Sequence, residues 1–249
     1  MNHIPFRDET QAAELEPSPE TFAPFAPDSL HDPAVARLRA VHRAASECKR
    51  GTPVVMQGES DWVLVPAETA GARGLAEFAA IADGPPVLLL APTRAATVLR
   101  RPLDKSAHAI AIRLPEALLS LKCLRGLADP TTEQLLPEDP QMGVAPPDAP
   151  AMLALAKLAR LLPAMIAAPA RAGITAESLG LLTVSAQDVL DYPNVMATRL
   201  VRVAEAKVPL EDVADARVVA FRAPDMGIEH LAILIGRPED SEAPLVPPK

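Results

Sequence analysis

The sequence predicts a mixed α/β (α+β) fold, with one mixed sheet carrying helices on its faces and a short all-β segment after it. Three observations predict this. Short apolar runs alternate with segments of helical spacing from residue 33 to residue 193. Beyond Asn194 the helical spacing stops, and strand-like runs follow with no helix between them. Proline, 28 residues of 249, gathers at both ends and in the middle, where it marks connections.

The elements follow in order. Residues 1–32 are rich in proline and acids and are expected to form a flexible arm, in which Phe22 and Phe25 are the candidate docking side chains. Asp32 then reads as an N-cap and Pro33 as the first helical residue, and Val35, Leu38, Val41 and Ala45 recur at helical spacing. Gly51 ends that helix in the position that favours a left-handed residue, behind Lys49 and Arg50, whose charges suit the negative end of the helix dipole. Pro53–Met56 and Trp62–Val65 read as two strands joined through the turn Gln57–Asp61. A helix is expected over Ala72–Ala82, closed by Asp83-Gly84-Pro85. Val87–Leu90 is a continuous apolar run, the mark of a strand covered on both faces.

Thr93–Arg101 is expected to be helical, Ala109–Leu114 a strand, and Pro115–Leu124 a helix. Ala128–Pro150 holds Pro130, Pro137, Pro140, Pro146, Pro147 and Pro150 and is read as a loop or a degenerate insertion. Met152–Leu162 is expected to be amphipathic, with Met152, Leu155 and Leu158 on its apolar stripe and Lys157 and Arg160 elsewhere. Ala164–Ala167 and Leu181–Val184 are strand candidates. Ser185 caps a helix over Ala186–Tyr192, which Pro193 is expected to stop. Val201–Pro209, Ala216–Phe221 and Glu229–Ile235 are the closing strands, the last two separated by the turn-rich Ala223–Gly227. Three strands without covering helices make a poor independent core, so an exposed edge is expected at Glu229–Ile235.

Composition narrows the function classes. Apolar residues make up 49% and charged residues 22%, the balance of a globular chain. Five Phe, one Trp and one Tyr are all the aromatics, so the core must be built from Leu, Val, Ile and Ala. The net charge of −8 argues against a grip on nucleic-acid backbone, and no apolar run is long enough to span a membrane. The two cysteines, Cys48 and Cys123, have no Cys or His at metal-ligand spacing and read as buried thiols of a reducing compartment. With no apolar segment behind Met1, a cytoplasmic location is expected.

Catalytic constellations are scarce. His3 and His31 lie in or beside the arm, His42 on the first helix and His108 at the head of a strand. Glu229-His230 is the most site-like pair, yet neighbours in a strand point to opposite faces and do not converge on one atom. Glu59 and Asp61 are candidate ligands for a divalent cation, although Mg²⁺ normally shares its shell with a phosphate ligand. No phosphate-cradling glycine pattern and no Gly-x-Ser-x-Gly elbow is present. No catalytic, cofactor-binding or metal-binding residue is therefore assigned.

Two stretches nevertheless resemble known families. Val201–Pro209, Ala216–Arg222 and Gly227–Gly236, with Ala204-Glu205-Ala206, Phe221-Arg222 and Glu229-His230, resemble the opening strands of bacterial GTP cyclohydrolase II in order and spacing. Lys49-Arg50-Gly51, Pro53–Met56, Pro66-Ala67-Glu68 and Leu182–Tyr192 are similar to 3,4-dihydroxy-2-butanone-4-phosphate synthase, the domain fused ahead of that enzyme in bifunctional riboflavin proteins. The resemblance implies a flexible arm over 1–32, a degenerate synthase-like domain over 33–193 and an incomplete cyclohydrolase segment over 194–249.

The departures shape what is expected of the chain. The synthase family places a dense acidic and arginine motif between its first two strands to hold Mg²⁺ and sugar phosphate, where this sequence has only Gln57–Trp62. The family's Gly-His-Thr-Glu segment has no counterpart in Ala128–Pro150. GTP cyclohydrolase II uses three zinc-binding cysteines placed after the Glu-His strand, and residues 236–249 contain no cysteine. The resemblance thus implies a truncated family member, inactive alone and without a bound cofactor, zinc and magnesium being the metals of the two families. It further implies a homodimer, with GTP as a ligand only if the missing catalytic segment is supplied. A non-catalytic scaffold or dimerisation module is the alternative.

Overall fold

A computed structural model describes residues 33–104, 106–132, 136–172, 179–208, 210, 213, 215–222, 229–243 and 245–246. The arm over 1–32, the N-cap Asp32 and the turn Ala223–Gly227 lie outside the described residues.

Helix α1 (Pro33–Arg50) buries Val35, Leu38, Val41, Ala44, Ala45 and Cys48, one stripe at helical spacing. It ends as the sequence predicts. Gly51 adopts φ +73°, its N–H bonds to the Cys48 carbonyl, and the Thr52 N–H reaches back to Glu47. A Cβ on Gly51 would lie 2.2 Å from the Thr69 carbonyl oxygen, so close approach as well as backbone angle requires glycine here.

Strands β1 (Val54–Gln57) and β2 (Trp62–Pro66) form the expected hairpin, with Val55 opposite Val63. Then come α2 (Ala72–Ile81), β3 (Val87–Leu90), α3 (Pro92–Val98) and β4 (Ile110–Arg113). The helix expected over Pro115–Leu124 is instead a 3-10 turn at Glu116–Leu118 followed by α4 (Leu121–Ala128). Ser120 sets the later start, because its hydroxyl accepts the Cys123 N–H as an N-cap. The carbonyl end of α4 is closed from outside by Arg94, whose guanidinium donates to Gly126, Leu127 and Asp129 carbonyls at 2.7–2.9 Å.

The proline-rich stretch is only partly loop. Gln141–Gly143 lies along β4, where Arg113 N–H bonds to Gln141 O and Gly143 N–H to Ala111 O, both at 2.8 Å. Helix α5 (Ala149–Leu158) begins and ends earlier than the sequence predicts, and its buried side includes Met152, Leu155 and Ala156 while Leu158 is only half-buried. Strands β5 (Ala164–Pro169) and β6 (Leu182–Ser185) follow. Ser185 caps α6 (Ala186–Ala197), accepting the Asp188 N–H at 3.3 Å.

Pro193 does not stop that helix. The ring removes one intrahelical hydrogen bond. Met196, buried beyond it on the stripe begun by Val189 and Tyr192, and Val195, packed against the same core, supply packing that offsets this cost. One fully buried aromatic or Met side chain is worth about 2 kcal/mol.

The sheet order is β4-β3-β5-β2-β1-β6, with β1–β6 the parallel pair and the other pairs antiparallel. It is the mixed sheet the sequence predicts. Alternate side chains divide between two aliphatic cores. Met56, Leu64, Leu89 and Met165 pack with α1, α5 and α6. Val55, Val63, Leu88, Leu90 and Ile166 pack with α2, α3 and α4 on the other face. Leu88, Leu89 and Leu90 are all fully buried, which explains the unbroken apolar run. A second, three-stranded antiparallel sheet, β7 (Val201–Lys207), β8 (Ala216–Arg222) and β9 (Glu229–Ile235), closes the chain in the order β7-β8-β9.

Candidate functional site

One end of the six-stranded sheet gathers the polar features. Register sets the start of β2, the end of β5, the start of β3 and the end of β4 side by side: Trp62 opposite Pro169, and Val87 opposite Arg113. The β1–β2 turn stands at the same end, with Met56 paired to Trp62. A cavity of about 860 Å³ opens there, walled by Trp62, Val87, Leu114 and Leu118 and by the rings of Pro85, Pro86, Pro115 and Pro169. Arg113, Glu138, Asp139 and Gln141 are its polar members. Rigid rings fix the wall, so the cavity is preformed and largely apolar.

The turn itself is tied to α5. Asp148 precedes that helix but caps none of its N–H groups; its Oδ2 accepts the Glu59 N–H at 3.0 Å instead. Gly58 admits this contact, since a Cβ there would fall 1.9 Å from the Asp148 carboxylate. The structure therefore brings together the two segments in which this chain departs from the synthase motifs, Gln57–Trp62 and Ala128–Pro150. Trp62 is oriented by a bond from its Nε1–H to Ser60 Oγ at 2.9 Å, and Ala170 N–H fastens Asp61 through its carbonyl at 2.8 Å.

Metal chemistry is not supported by these donors. Among the described residues no three His, Cys, Asp or Glu side chains gather where an ion would sit. Magnesium at the turn finds Glu59 and Asp61 on an exposed hairpin, with the third carboxylate, Asp148, already engaged by a backbone N–H. Zinc takes thiolates, imidazoles or carboxylates, and of these the cysteines are unsuited. Both are buried and free, Cys48 on α1 and Cys123 on α4. Burial, assisted by neighbouring Glu47, pushes the Cys48 thiol up to about 12, so it stays protonated at neutral pH. Among the described residues no donor set fits either ion.

The other candidates disperse. His42, His108 and His230 are all exposed and on separate elements. Phe221 stands opposite His230 in the second sheet. Glu68 of the Pro-Ala-Glu run is structural: its Oε2 accepts the Leu162 N–H at 2.7 Å, while Thr69 Oγ1 donates to the Cys48 carbonyl at 2.6 Å. Sequence reasoning missed Asp148 and the proline-walled cavity. Asp148 had a signal, an acid placed just ahead of an apolar helix after Pro146-Pro147. The cavity had none, because its walls come from four strands distant in the chain.

No protein-family model matches the chain. GTP cyclohydrolase-2 of Azospirillum brasilense is 34% identical over 236 residues, which is 90% of this chain and 60% of that protein. Among solved structures, RibBX, a two-domain 3,4-dihydroxy-2-butanone 4-phosphate synthase from A. baumannii, aligns with 81% of this chain and 71% of its own at a TM-score of 0.47 and 16% identity. A cation-free 3,4-dihydroxy-2-butanone 4-phosphate synthase aligns with 63% of this chain and 98% of its own, at a TM-score of 0.46 and 16% identity. Likeness at that level carries no statement about activity. By sequence the chain is similar to GTP cyclohydrolase-2 along most of its own length, and it spans 60% of the length of that relative.

Proposed function

We propose that this chain serves riboflavin biosynthesis in the cytoplasm as the scaffold part of a GTP cyclohydrolase-2-type protein and is inactive alone. The family's reaction is the zinc-dependent hydrolytic opening of the GTP imidazole ring, with loss of formate and pyrophosphate. The observation that carries the family part is the 34% identity sustained over 90% of the chain. What supports inactivity is donor chemistry. Generating hydroxide at neutral pH takes a zinc ion on an open site, and the described cysteines are two buried, separate thiols.

The scaffold reading draws on the cavity. Its described lining contains no His, Cys, Lys, Ser or Thr, so the Glu138 and Asp139 carboxylates and the Arg113 guanidinium have no side chain of those types beside them to complete a nucleophile–base pair. The Asp148–Glu59 contact occupies the turn where the synthase family would hold its metal.

The test is formate release. Purified chain incubated with GTP and Zn²⁺, and separately with ribulose 5-phosphate and Mg²⁺, is expected to release no formate above the enzyme-free control. Formate from GTP would overturn inactivity, and formate from the pentulose phosphate would show a working synthase site.

A further inference from the structure

Residues 22–27 read Phe-Ala-Pro-Phe-Ala-Pro, one tripeptide written twice, uncharged throughout and bracketed by Glu20 and Asp28. Three residues make one turn of the polyproline II helix, so the spacing predicts that Phe22 and Phe25 share one edge of it, about 9 Å apart. With Phe6 they are three of the five phenylalanines in the chain. Proline-rich segments dock by such an edge in apolar, aromatic-lined grooves. The cavity at the sheet end is a groove of that kind. Proline rings and Trp62 wall it, and the apolar side chain of Val144 stands 86% exposed beside them.

We infer that this segment is the occupant of the cavity: the Phe22 and Phe25 rings of the chain's own arm dock between Trp62, Val87, Leu114 and Leu118. The place where α1 begins favours that occupant. Arg37, near its start, lies 3.7 Å from Asp188 in the first turn of α6, and Ser185 just ahead of that turn pairs with Gln57. The far end of α1 lies at the other end of the sheet, with Gly51 against Thr69 beyond β2. Pro33 therefore stands at the end that holds the β1–β2 turn and the cavity. From β6 to β3 is four strand spacings, about 19 Å. Pro33 follows Phe25 by eight residues and Phe22 by eleven, about 25 and 34 Å of polyproline II chain. Both rings reach.

Chemistry agrees with reach. The repeat carries no charge into the apolar walls. Its prolines restrict the backbone beforehand, so docking gives up less entropy than it would in an unrestricted segment. The tether makes the event intramolecular, which raises the effective concentration of the rings at the cavity. Arg113, the cation of the lining, has no ion pair among the described residues. It offsets the repulsion that Glu138 and Asp139 exert on Glu20 and Asp28. A seat for the arm does not depend on whether the chain releases formate, so the two readings fail separately.

Trp62 is the sole tryptophan and part of the cavity wall, so its fluorescence in the full chain reads occupancy. The double variant Phe22→Ser, Phe25→Ser is expected to emit further to the red than the wild type. Acrylamide is expected to quench it about twofold more steeply, because docked rings no longer cover the indole. Phe22→Leu with Phe25→Leu, which keeps apolar bulk, should lie nearer the wild type, and Phe6→Ser, outside the repeat, should match it. Val144→Asp, with unchanged far-UV circular dichroism, is expected to expose Trp62 as the serine variant does, because docking would bury its charge. A wild type quenched as steeply as the serine variant, a Phe6→Ser chain equally exposed, or a Val144→Asp chain like the wild type would overturn the inference. So would protection that grows with protein concentration from about 1 to about 100 μM, which would seat the arm of a second copy in the cavity.

Discussion

Cys48 illustrates how one small side chain is defined by its surroundings. It has no exposed surface, and desolvation raises its pKa to about 12. The unfolded thiol titrates near 8.5. Between these values the folded chain keeps a proton that the unfolded chain has lost, so stability is full below about pH 8.5 and falls as pH rises towards 12. The urea midpoint is therefore expected to drop from pH 7 to pH 10, and Cys48→Ala to show a shallower drop. Equal slopes would mean that Cys48 does not drive the alkaline loss. Arg94 is the counterpart among charged residues. Burial lowers its pKa, with Asp129 opposing that shift, and three carbonyls hold the guanidinium at the end of α4.

Helix ends show where local signals stop being sufficient. Gly51 announced the end of α1 because only glycine enters the left-handed region without cost. The ends of α3 and α5 gave no such signal, since Arg100 and Arg160 fill the equivalent positions at φ +52° and +57°. Both close in the same doubly bonded way, Arg160 N–H to Lys157 and Leu161 N–H to Ala156 at the end of α5. The helices predicted to reach Arg101 and Leu162 accordingly stop at Val98 and Leu158. A left-handed conformation costs a residue with a Cβ about 1 kcal/mol. Arg160→Gly is expected to recover roughly that amount in urea unfolding, and Arg160→Ala to recover none. A glycine variant no more stable than the alanine variant would show that α5 pays no strain at this position.

At the scale of the molecule, the two sheets differ in how they are protected. The six-stranded sheet lies between two helical layers, whereas the three-stranded sheet keeps an apolar face open. Local opening follows such differences in burial. In hydrogen exchange, the amides of Leu88, Leu89 and Leu90 are expected to outlast those of β7 by at least about a hundredfold. Similar protection in both sheets would show that β7–β9 is covered in solution. The edge was legible: the sequence predicted it at Glu229–Ile235 from the lack of covering helices, and β9 is the last strand of its sheet. Which side chains stand beside exposed Leu231 and Ile233 depended on pairing register, which one strand alone does not state.

What the sequence determined by itself was the kind and order of elements, because periodicity, caps and glycine act within a few residues. It also carried the family likeness, borne in short runs such as Pro66-Ala67-Glu68 and Glu229-His230. Tertiary structure decided the rest. It carried α6 through Pro193, since buried Met196 and the core-packed Val195 beyond it offset one lost hydrogen bond. It turned Asp148 from a helix cap into the tie on Glu59. It assembled the cavity at the sheet end from β2, β3, β4 and β5, whose meeting depends on strand order rather than on neighbours in the chain. Contacts that span many residues leave no local pattern, and the candidate site is made almost wholly of such contacts.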